Sequence, residues 1–135
     1  MSAALDERLA RDTFAVGDMS LSRVLLMNDA RWPWLILVPQ RDGCVELMDL
    51  DPADRAQLIE EGARAAQWLK GRTRADKINI GALGNVVRQL HLHVVARTIG
   101  DPAWPGPVWG FGAAEAYRDS DARALVAAAK AGLGI

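Results

Sequence analysis

Short apolar runs separated by turn-forming residues make up the first part of the chain. Residues 3–11 place Leu5 and Leu9 one helical turn apart among charged side chains, which predicts a short amphipathic helix covering the core. The runs TFAV and LSRVLLMN end at the turn formers Gly17-Asp18 and Asn28-Asp29, and each predicts a strand. A continuous apolar run bounded by prolines, WLILVPQ, predicts a third strand buried on both faces. Together these runs predict an antiparallel meander.

The clearest helix signal lies between Asp51 and Lys70. Asp51 stands where an N-cap belongs, Pro52 takes the first helical position, and Gly71 follows the last residue. One face carries small apolar side chains, which allow a helix to approach a sheet closely. We therefore expect this long helix to pack against the predicted strands.

The second half of the chain predicts two more strands and a last helix. The strands are the runs KINIGAL and LHLHVVAR, and the proline- and glycine-rich stretch DPAWPGPVWGFG predicts an ordered loop. A helix is expected from about Asp121 to Ala131, capped by Asp119 or Ser120 and stopped by Gly132. The fold class is therefore α+β: a single domain over residues 1–135, with about five antiparallel strands, one long helix and a shorter C-terminal helix.

Composition narrows the classes of function. Half of the 135 residues are hydrophobic, which is enough for a core without disulfides, and the net charge is −1. A chain without excess positive charge lacks the general attraction to a nucleic acid polymer or an acidic membrane. Cys44 is the single cysteine, and no apolar run approaches the length of a membrane span. We expect a cytoplasmic protein that binds neither membranes nor nucleic acid polymers.

The only two histidines of the chain, His91 and His93, lie two positions apart in an apolar run. If this run is a strand, Gln89, His91 and His93 share one face, about 6.5 to 7 Å apart. The other face then takes the core residues Leu90, Leu92 and Val94.

Three interpretations of the histidines stay open at this point. A solvated strand face tolerates any polar residue, but that does not explain why histidine occurs only here. A His-x-His pair can bind zinc, although a third ligand would have to be a carboxylate. The third interpretation is nucleophilic or acid–base catalysis, for which imidazole is well suited near neutral pH. An attacking imidazole needs one free nitrogen, so its other nitrogen must donate to a fixed acceptor such as a loop carbonyl.

The run from Gln89 to Val95, QLHLHVV, resembles the motif of the histidine triad (HIT) superfamily, His-φ-His-φ-His-φ-φ, where φ is apolar. The similarity extends roughly from Arg23 to Trp109. It includes a strand ending in Asn, a strand ending in Pro, a long helix starting with Pro, a strand containing Asn79-Ile80-Gly81, and a tail with tryptophans.

This resemblance implies an enzyme that breaks a bond to the α-phosphate of a nucleoside phosphoramidate or dinucleoside polyphosphate through a nucleotidyl-histidine intermediate. By this resemblance His91 is the nucleophile, and His93 supports the phosphate and the surroundings of the nucleophile. It also implies a purine nucleotide or nucleotide conjugate as ligand and a homodimer. No cofactor is required, although a divalent metal could accompany the substrate.

The sequence departs from the family pattern in two places. Gln89 replaces the first histidine, and an amide cannot change its charge near pH 7. Asn85 and Val86 align with a segment that usually has Gln followed by Ser or Thr; Asn85 keeps an amide, whereas Val86 offers no hydroxyl. These departures keep an alternative open, namely a nucleotide-binding HIT-like protein with little or no catalytic activity.

Other substrate-binding candidates are polar or aromatic residues outside the motif. Asn28, or less favourably Asp29, follows a strand where family members often hold the ribose, but a turn residue is an equal interpretation. Asn79 lies within an apolar strand and would need a partner if buried, so we expect it near the phosphate. Trp104 and Trp109 either close over the site or the partner subunit, or only anchor the tail.

Overall fold

The computed structural model describes residues 3–135 and contains one antiparallel five-stranded sheet. The strands are β1 Thr13–Asp18, β2 Ser22–Met27, β3 Trp34–Pro39, β4 Lys77–Gly81 and β5 Leu92–Arg97. Their order across the sheet is β1-β2-β3-β5-β4, so the first three strands form the predicted meander. The α+β fold with about five strands is confirmed.

Helix α2, Pro52–Thr73, begins as predicted and ends later than predicted. The Asp51 side chain accepts a hydrogen bond from the backbone N–H of Asp54, which caps the first turn. The helix continues through Gly71 and ends at Arg74, which adopts the left-handed conformation with φ of 56°. A Cβ at Gly71 would meet no other atom, so this glycine is an exposed helix position and not a stop.

The two other helices, α1 Glu7–Asp12 and α3 Asp119–Leu133, also differ from the predicted bounds. Helix α1 starts only after Asp6, whose side chain accepts from the N–H of Arg8. The N-cap of α3 is Arg118, without a side-chain hydrogen bond, so the predicted caps lie inside the helix or at its first residue. Gly132 lies within α3, and Gly134, with φ of 69°, ends it.

Gly132 has a packing role that the sequence did not indicate. A Cβ at this position would lie 1.9 Å from the indole nitrogen of Trp68 on α2. Only glycine lets the two helices meet here, because any side chain would overlap the indole. The glycine thus marks a helix contact and not the end of the helix.

Both faces of the sheet are covered. Helices α2 and α3 pack on one face, together with residues such as Leu35, Leu37 and Val94. The other face carries a second cluster that includes Trp32, Trp34 and Val95, and α1 contributes Leu9 to it. All residues of β3 are buried, which confirms the prediction of a strand buried on both faces. The predicted loop at residues 101–112 consists of turns and bends and joins the second cluster through Val108 and Trp109.

Helix α2 carries a buried carboxylate. Glu61 of α2 is buried, and its carboxylate accepts from the backbone N–H groups of Leu21 and Ser22 and from Gln57 Nε2. The long helix is thereby tied to the β1–β2 turn.

Between residues 3 and 135, none of the helices combines the length and apolar character needed to span a membrane.

Candidate active site

His91 lies immediately before β5, at the end of the loop that leads from β4. Its Nδ1 is 2.7 Å from the backbone oxygen of Gln89. A carbonyl oxygen only accepts hydrogen bonds, so Nδ1 must carry the proton and donate it. In the neutral ring Nε2 therefore holds the free lone pair. This is the arrangement that nucleophilic attack by an imidazole requires.

His93 has both ring nitrogens occupied. Nδ1 accepts a hydrogen bond from the indole N–H of Trp34 at 3.0 Å, and Nε2 donates to the backbone oxygen of Leu83 at 3.1 Å. Burial, followed by the neighbouring His91, lowers the pKa of His93 to about 4. His93 is thus a neutral, fixed ring whose centroid lies 4.8 Å from that of His91.

The two imidazoles face a cavity of about 340 Å³. The loop between β4 and β5 forms one wall of this cavity, and Trp34 and Trp109 form another. The Trp109 ring lies edge-on to His93, with ring centroids 5.5 Å apart. The cavity is lined by Met27, Trp34, Leu83, Gly84, Asn85, Val86, Val87, His91, His93, Trp109 and Gly110.

A smaller cleft of about 60 Å³ adjoins the other side of His91 and has a more polar lining. Asn85 lines both spaces, and Arg88, in the loop before β5, lines the small cleft. Gly84 also lines both spaces, and a Cβ there would lie 2.6 Å from the Val87 oxygen and 3.2 Å from Cε1 of His91. The loop backbone can approach the His91 ring because this residue has no side chain.

The predicted strand face does not extend to Gln89 and His91, because both residues precede β5. Pairing of β5 with β3 begins only at Leu92, opposite Leu37. The N–H of Leu90 donates to the backbone oxygen of Cys44 in a loop, which keeps residues 89–91 out of the sheet. The Gln89 side chain turns toward the N-terminal segment, where its amide bonds to the backbone of Ala4 and Asp6.

Asn28 and Asp29 lie outside the lining of the cavity. The Asn28 side chain accepts from the backbone N–H of Tyr117 at 2.9 Å. Asp29 is buried and paired with Arg31 at 2.8 Å, and it also accepts from the N–H of Glu115. Burial raises the pKa of Asp29, but the hydrogen bonds, chiefly from Arg31, outweigh it and hold the pKa below its usual value. In this structure both side chains hold the segment before α3.

Asn79 is half-buried and also lies outside the lining of the cavity. Its oxygen accepts from Nη1 of Arg97 at 2.8 Å, so the partner of this amide in the structure is an arginine. Arg97 is 1% exposed and forms two further bonds to Asp101, at 2.8 and 3.0 Å. Hydrogen bonds from Arg97 lower the pKa of Asp101 to about 2.

Trp34, Leu83 and Arg97 were not identified from the sequence. Trp34 shares a sheet face with His93 because β3 and β5 are neighbours, with Ile36 opposite His93. Nothing in the local pattern shows that adjacency. For Arg97, the available signal was a charge at the end of an apolar strand with an acid four residues later.

The site does not have the features of a metal centre. Both nitrogens of His93 are engaged, so the His-x-His pair cannot provide two ligands in this arrangement. Across the part of the chain that the structure describes, no group of three or more His, Cys, Asp or Glu side chains is placed to hold a metal ion.

A small antiparallel α+β domain with two neighbouring imidazoles beside a cavity is typical of histidine triad proteins. The family model for the HIT domain matches residues 8–99, and the chain belongs to the HIT family, which includes nucleotide hydrolases and transferases. A comparison with curated proteins found no match.

Three solved structures are similar to this chain over nearly all of their length. A histidine triad protein from Sinorhizobium meliloti is 54% identical, with a TM-score of 0.93 and coverage of 96% of each chain. A histidine triad protein from Bradyrhizobium japonicum is 44% identical, with a TM-score of 0.94 and coverage of 98% of this chain and 99% of the other. One from Marinobacter aquaeolei is 41% identical, with a TM-score of 0.95 and coverage of 99% and 98%.

Proposed function

We propose that the protein hydrolyses, or transfers a nucleotidyl group from, a nucleoside phosphoramidate or dinucleoside polyphosphate, with Nε2 of His91 attacking the α-phosphate. The observation that carries this proposal is the 2.7 Å hydrogen bond from His91 Nδ1 to the Gln89 carbonyl oxygen. In the neutral imidazole this bond leaves the lone pair on Nε2, and it fixes the plane of the ring. Family membership supplies the class of substrate.

The reaction has two displacements at phosphorus. First, Nε2 forms a bond to phosphorus while the bond to the leaving group breaks; the leaving group departs with the bonding electrons, and an amine leaving group takes up a proton from solvent. Water or another acceptor then attacks phosphorus, and His91 leaves as a neutral imidazole while the attacking group loses its proton to solvent. Dividing the reaction in this way avoids placing substrate and water together in one step.

The surroundings of His91 support this assignment of roles. His93, neutral and bonded through both nitrogens, keeps the wall beside the nucleophile rigid without adding charge. Asn85 lines the spaces on both sides of the nucleophile, and its amide is a donor for phosphoryl oxygens. The mainly apolar cavity beside Trp109 suits a nucleoside, which we propose to be a purine nucleoside.

Three further parts of the proposal follow from family membership and composition. We propose a homodimer, which light scattering of the purified protein tests. No resident cofactor is assigned, and a divalent metal would enter only with the substrate phosphates. A single free thiol, Cys44, is compatible with the reducing conditions of the cytoplasm, which we propose as the compartment.

The proposal is tested by incubating the protein with adenosine phosphoramidate and, separately, with a diadenosine polyphosphate. We expect release of adenosine monophosphate. When the reaction is quenched rapidly without acid, mass spectrometry of the protein should show a mass increased by one adenylyl group. His91→Ala is expected to lose both, whereas Arg11→Ala, at an exposed salt bridge, is the matched control and keeps both. Equal turnover by His91→Ala and wild type would remove His91 from the reaction.

A second candidate is a nucleotide-binding protein with little turnover. Two observations favour it: the Gln89 amide is engaged with the N-terminal segment, and Val86, 72% exposed at the cavity, offers no hydroxyl. Neither position therefore supplies a group that changes charge or donates a proton. Binding of adenosine monophosphate in a calorimetric titration, without turnover of either substrate, would support this candidate over the enzyme.

A further inference from the structure

The peptide group between Gln89 and Leu90 is held from both sides. Its oxygen accepts from Nδ1 of His91 at 2.7 Å, and its N–H donates to the carbonyl oxygen of Cys44 at 3.0 Å. The C=O and N–H of a trans peptide point in opposite directions within one plane. Fixing both therefore fixes the rotation of that plane, and this rotation decides whether Nδ1 of His91 meets an acceptor or a donor.

The Gln89 side chain adds a second attachment at the same point. Nε2 donates to the Ala4 oxygen at 2.9 Å, and Oε1 accepts from the Asp6 N–H at 2.8 Å. One amide thus pairs with two backbone groups of the segment before α1. That helix is itself anchored, because its Leu9 is buried in the cluster on this face of the sheet.

Glutamine is suited to this contact in a way that histidine is not. The oxygen and nitrogen of a carboxamide lie side by side, so the group donates and accepts in nearly the same direction. The two nitrogens of an imidazole flank one ring carbon, and their hydrogen bonds point in widely diverging directions. A histidine at position 89 could therefore make one of these bonds but not both.

We propose that Gln89 is a positioning residue: its carboxamide ties residues 4–6 to the peptide that precedes His91 and so maintains the Nδ1–H tautomer of the nucleophile. Rotation of that peptide would direct an N–H toward Nδ1, and the proton would move to Nε2, the nitrogen that must attack. The consequence for turnover rests on the proposed function, whereas the consequence for the tautomer does not.

The test uses protein labelled with nitrogen-15 in its only two histidines. Long-range proton–nitrogen spectra distinguish a protonated from an unprotonated ring nitrogen, and His93 serves as the internal reference for an intact fold. The first variant, Gln89→Met, keeps the size of the side chain without its polar atoms. The second, Asp6→Pro, removes the backbone N–H that donates to Oε1 of Gln89. The φ of −55° at Asp6 is compatible with proline.

Asp6→Ala is the matched control, because it removes the helix-capping carboxylate and keeps the N–H. In wild type and Asp6→Ala we expect His91 with a proton on Nδ1. In Gln89→Met and Asp6→Pro we expect the tautomer ratio of His91 to shift toward Nε2–H by roughly fivefold, the effect of losing one hydrogen bond of ordinary net strength. The His93 signals should stay unchanged, and kcat should fall with the fraction of the reactive tautomer.

Unchanged His91 tautomers in both Gln89→Met and Asp6→Pro would overturn the proposal, whatever the turnover. A shift of equal size in Asp6→Ala would also overturn the proposal, because the helix-capping carboxylate of Asp6 and not the hydrogen bonds of Gln89 would then be responsible. If wild type turns over neither substrate but the tautomer shifts as expected, the proposed function fails and the positioning role of Gln89 stands.

Discussion

The indole N–H of Trp34 donates a hydrogen bond to Nδ1 of His93 at 3.0 Å, across 59 positions of sequence. An indole nitrogen can only donate, so it keeps a proton off Nδ1. Burial acts in the same direction and brings the pKa of His93 to about 4. His93 is therefore a neutral neighbour of His91 and has no free nitrogen for a metal or a proton transfer.

Replacing Trp34 by phenylalanine should free Nδ1 of His93 to take a proton. In Trp34→Phe we expect the pKa of His93 to rise toward its ordinary value of 6.5, because the competing donor is gone and the smaller ring admits water. An unsatisfied buried nitrogen should lower the free energy of unfolding by about 1 to 3 kcal/mol. Proton NMR titration of the imidazole and urea unfolding measure the two effects.

Trp32→Phe is the matched control for this experiment. Trp32 belongs to the same aromatic cluster, with its ring centroid 6.5 Å from that of Trp34, but its N–H does not bond to His93. The pKa of His93 should stay low in this variant. Equal titration of His93 in Trp34→Phe and wild type would contradict the role assigned to the indole.

The low pKa of His93 predicts how stability depends on pH. An unfolded histidine titrates near 6.5, whereas native His93 titrates near 4. Between these values the unfolded chain binds a proton that the native chain does not, so the free energy of unfolding falls as the pH is lowered from 6.5 to 4. The contribution of His93 is about 3 kcal/mol over the whole window.

Carboxylates also titrate at low pH, so the contribution of His93 is isolated by comparison with His93→Gln, which cannot titrate. Between pH 6 and pH 5, the free energy of unfolding measured with urea should fall by about 1 kcal/mol more in wild type than in His93→Gln. Parallel losses in the two proteins would show that His93 is not the group responsible.

The sequence predicted the features that depend on neighbours along the chain. Alternation and turn residues indicated the strands, and the Asp51-Pro52 pair indicated the start of α2, because such signals act within one turn. The need for a carbonyl acceptor beside His91 was also predicted from chemistry alone. It is met by Gln89, two residues away, although we expected a carbonyl from an adjacent loop.

The partners of Asn28, Asp29 and Asn79 could not be predicted from the sequence. Each polar side chain needed a partner, but the partners lie far along the chain: the N–H of Tyr117 is 89 positions from Asn28, and Arg97 is 18 positions from Asn79. Such pairings depend on how strands and tail assemble, which no local pattern encodes. The contact of the Gln89 amide with the N-terminal segment was not predicted for the same reason, because its partners lie more than 80 positions away.

The buried pair of Arg97 and Asp101 should contribute strongly to stability. The two side chains are 2% and 7% exposed, and Arg97 also lies over the ring of Trp104, so the pair fixes the start of the tail that carries Trp109. Asp101→Asn leaves the guanidinium buried without its counter-charge, and we expect a loss of about 3 to 5 kcal/mol in the free energy of unfolding.

The comparison is Asp12→Asn, which removes an ion pair with Arg11 whose side chains are 51% and 69% exposed. Its expected effect is under about 1 kcal/mol, because water already solvates both groups. Urea unfolding followed by tryptophan fluorescence measures both variants. Losses of similar size would mean that the buried pair does not hold the tail.

Two glycines within helices predict opposite effects of the same substitution. Gly132→Ala places a methyl group 1.9 Å from the Trp68 indole nitrogen, so we expect a loss of about 1 to 3 kcal/mol as the helices separate. Gly71→Ala adds a methyl group that meets nothing, and lower entropy of the unfolded chain should stabilise the protein by about 0.5 to 1 kcal/mol. Thermal and urea unfolding of both variants test these two expectations. Unchanged stability in Gly132→Ala would contradict the helix contact, and destabilisation by Gly71→Ala would contradict the assignment of Gly71 as a position without contacts.

The exposed Val86 offers a test for gain of activity. Val86→Ser places a hydroxyl at the rim of the cavity that His91 lines, where it can donate to a phosphoryl oxygen or to the leaving group. We expect kcat for adenosine phosphoramidate to rise by roughly threefold to tenfold, a modest gain because the hydroxyl is not held in place by neighbours. Stability should change by less than about 0.5 kcal/mol, since the side chain is 72% exposed. Val86→Ala, which loses the same methyl groups without adding a donor, is the control and should leave kcat unchanged; equal rates in the serine and alanine variants would show that position 86 does not contact the reacting phosphate.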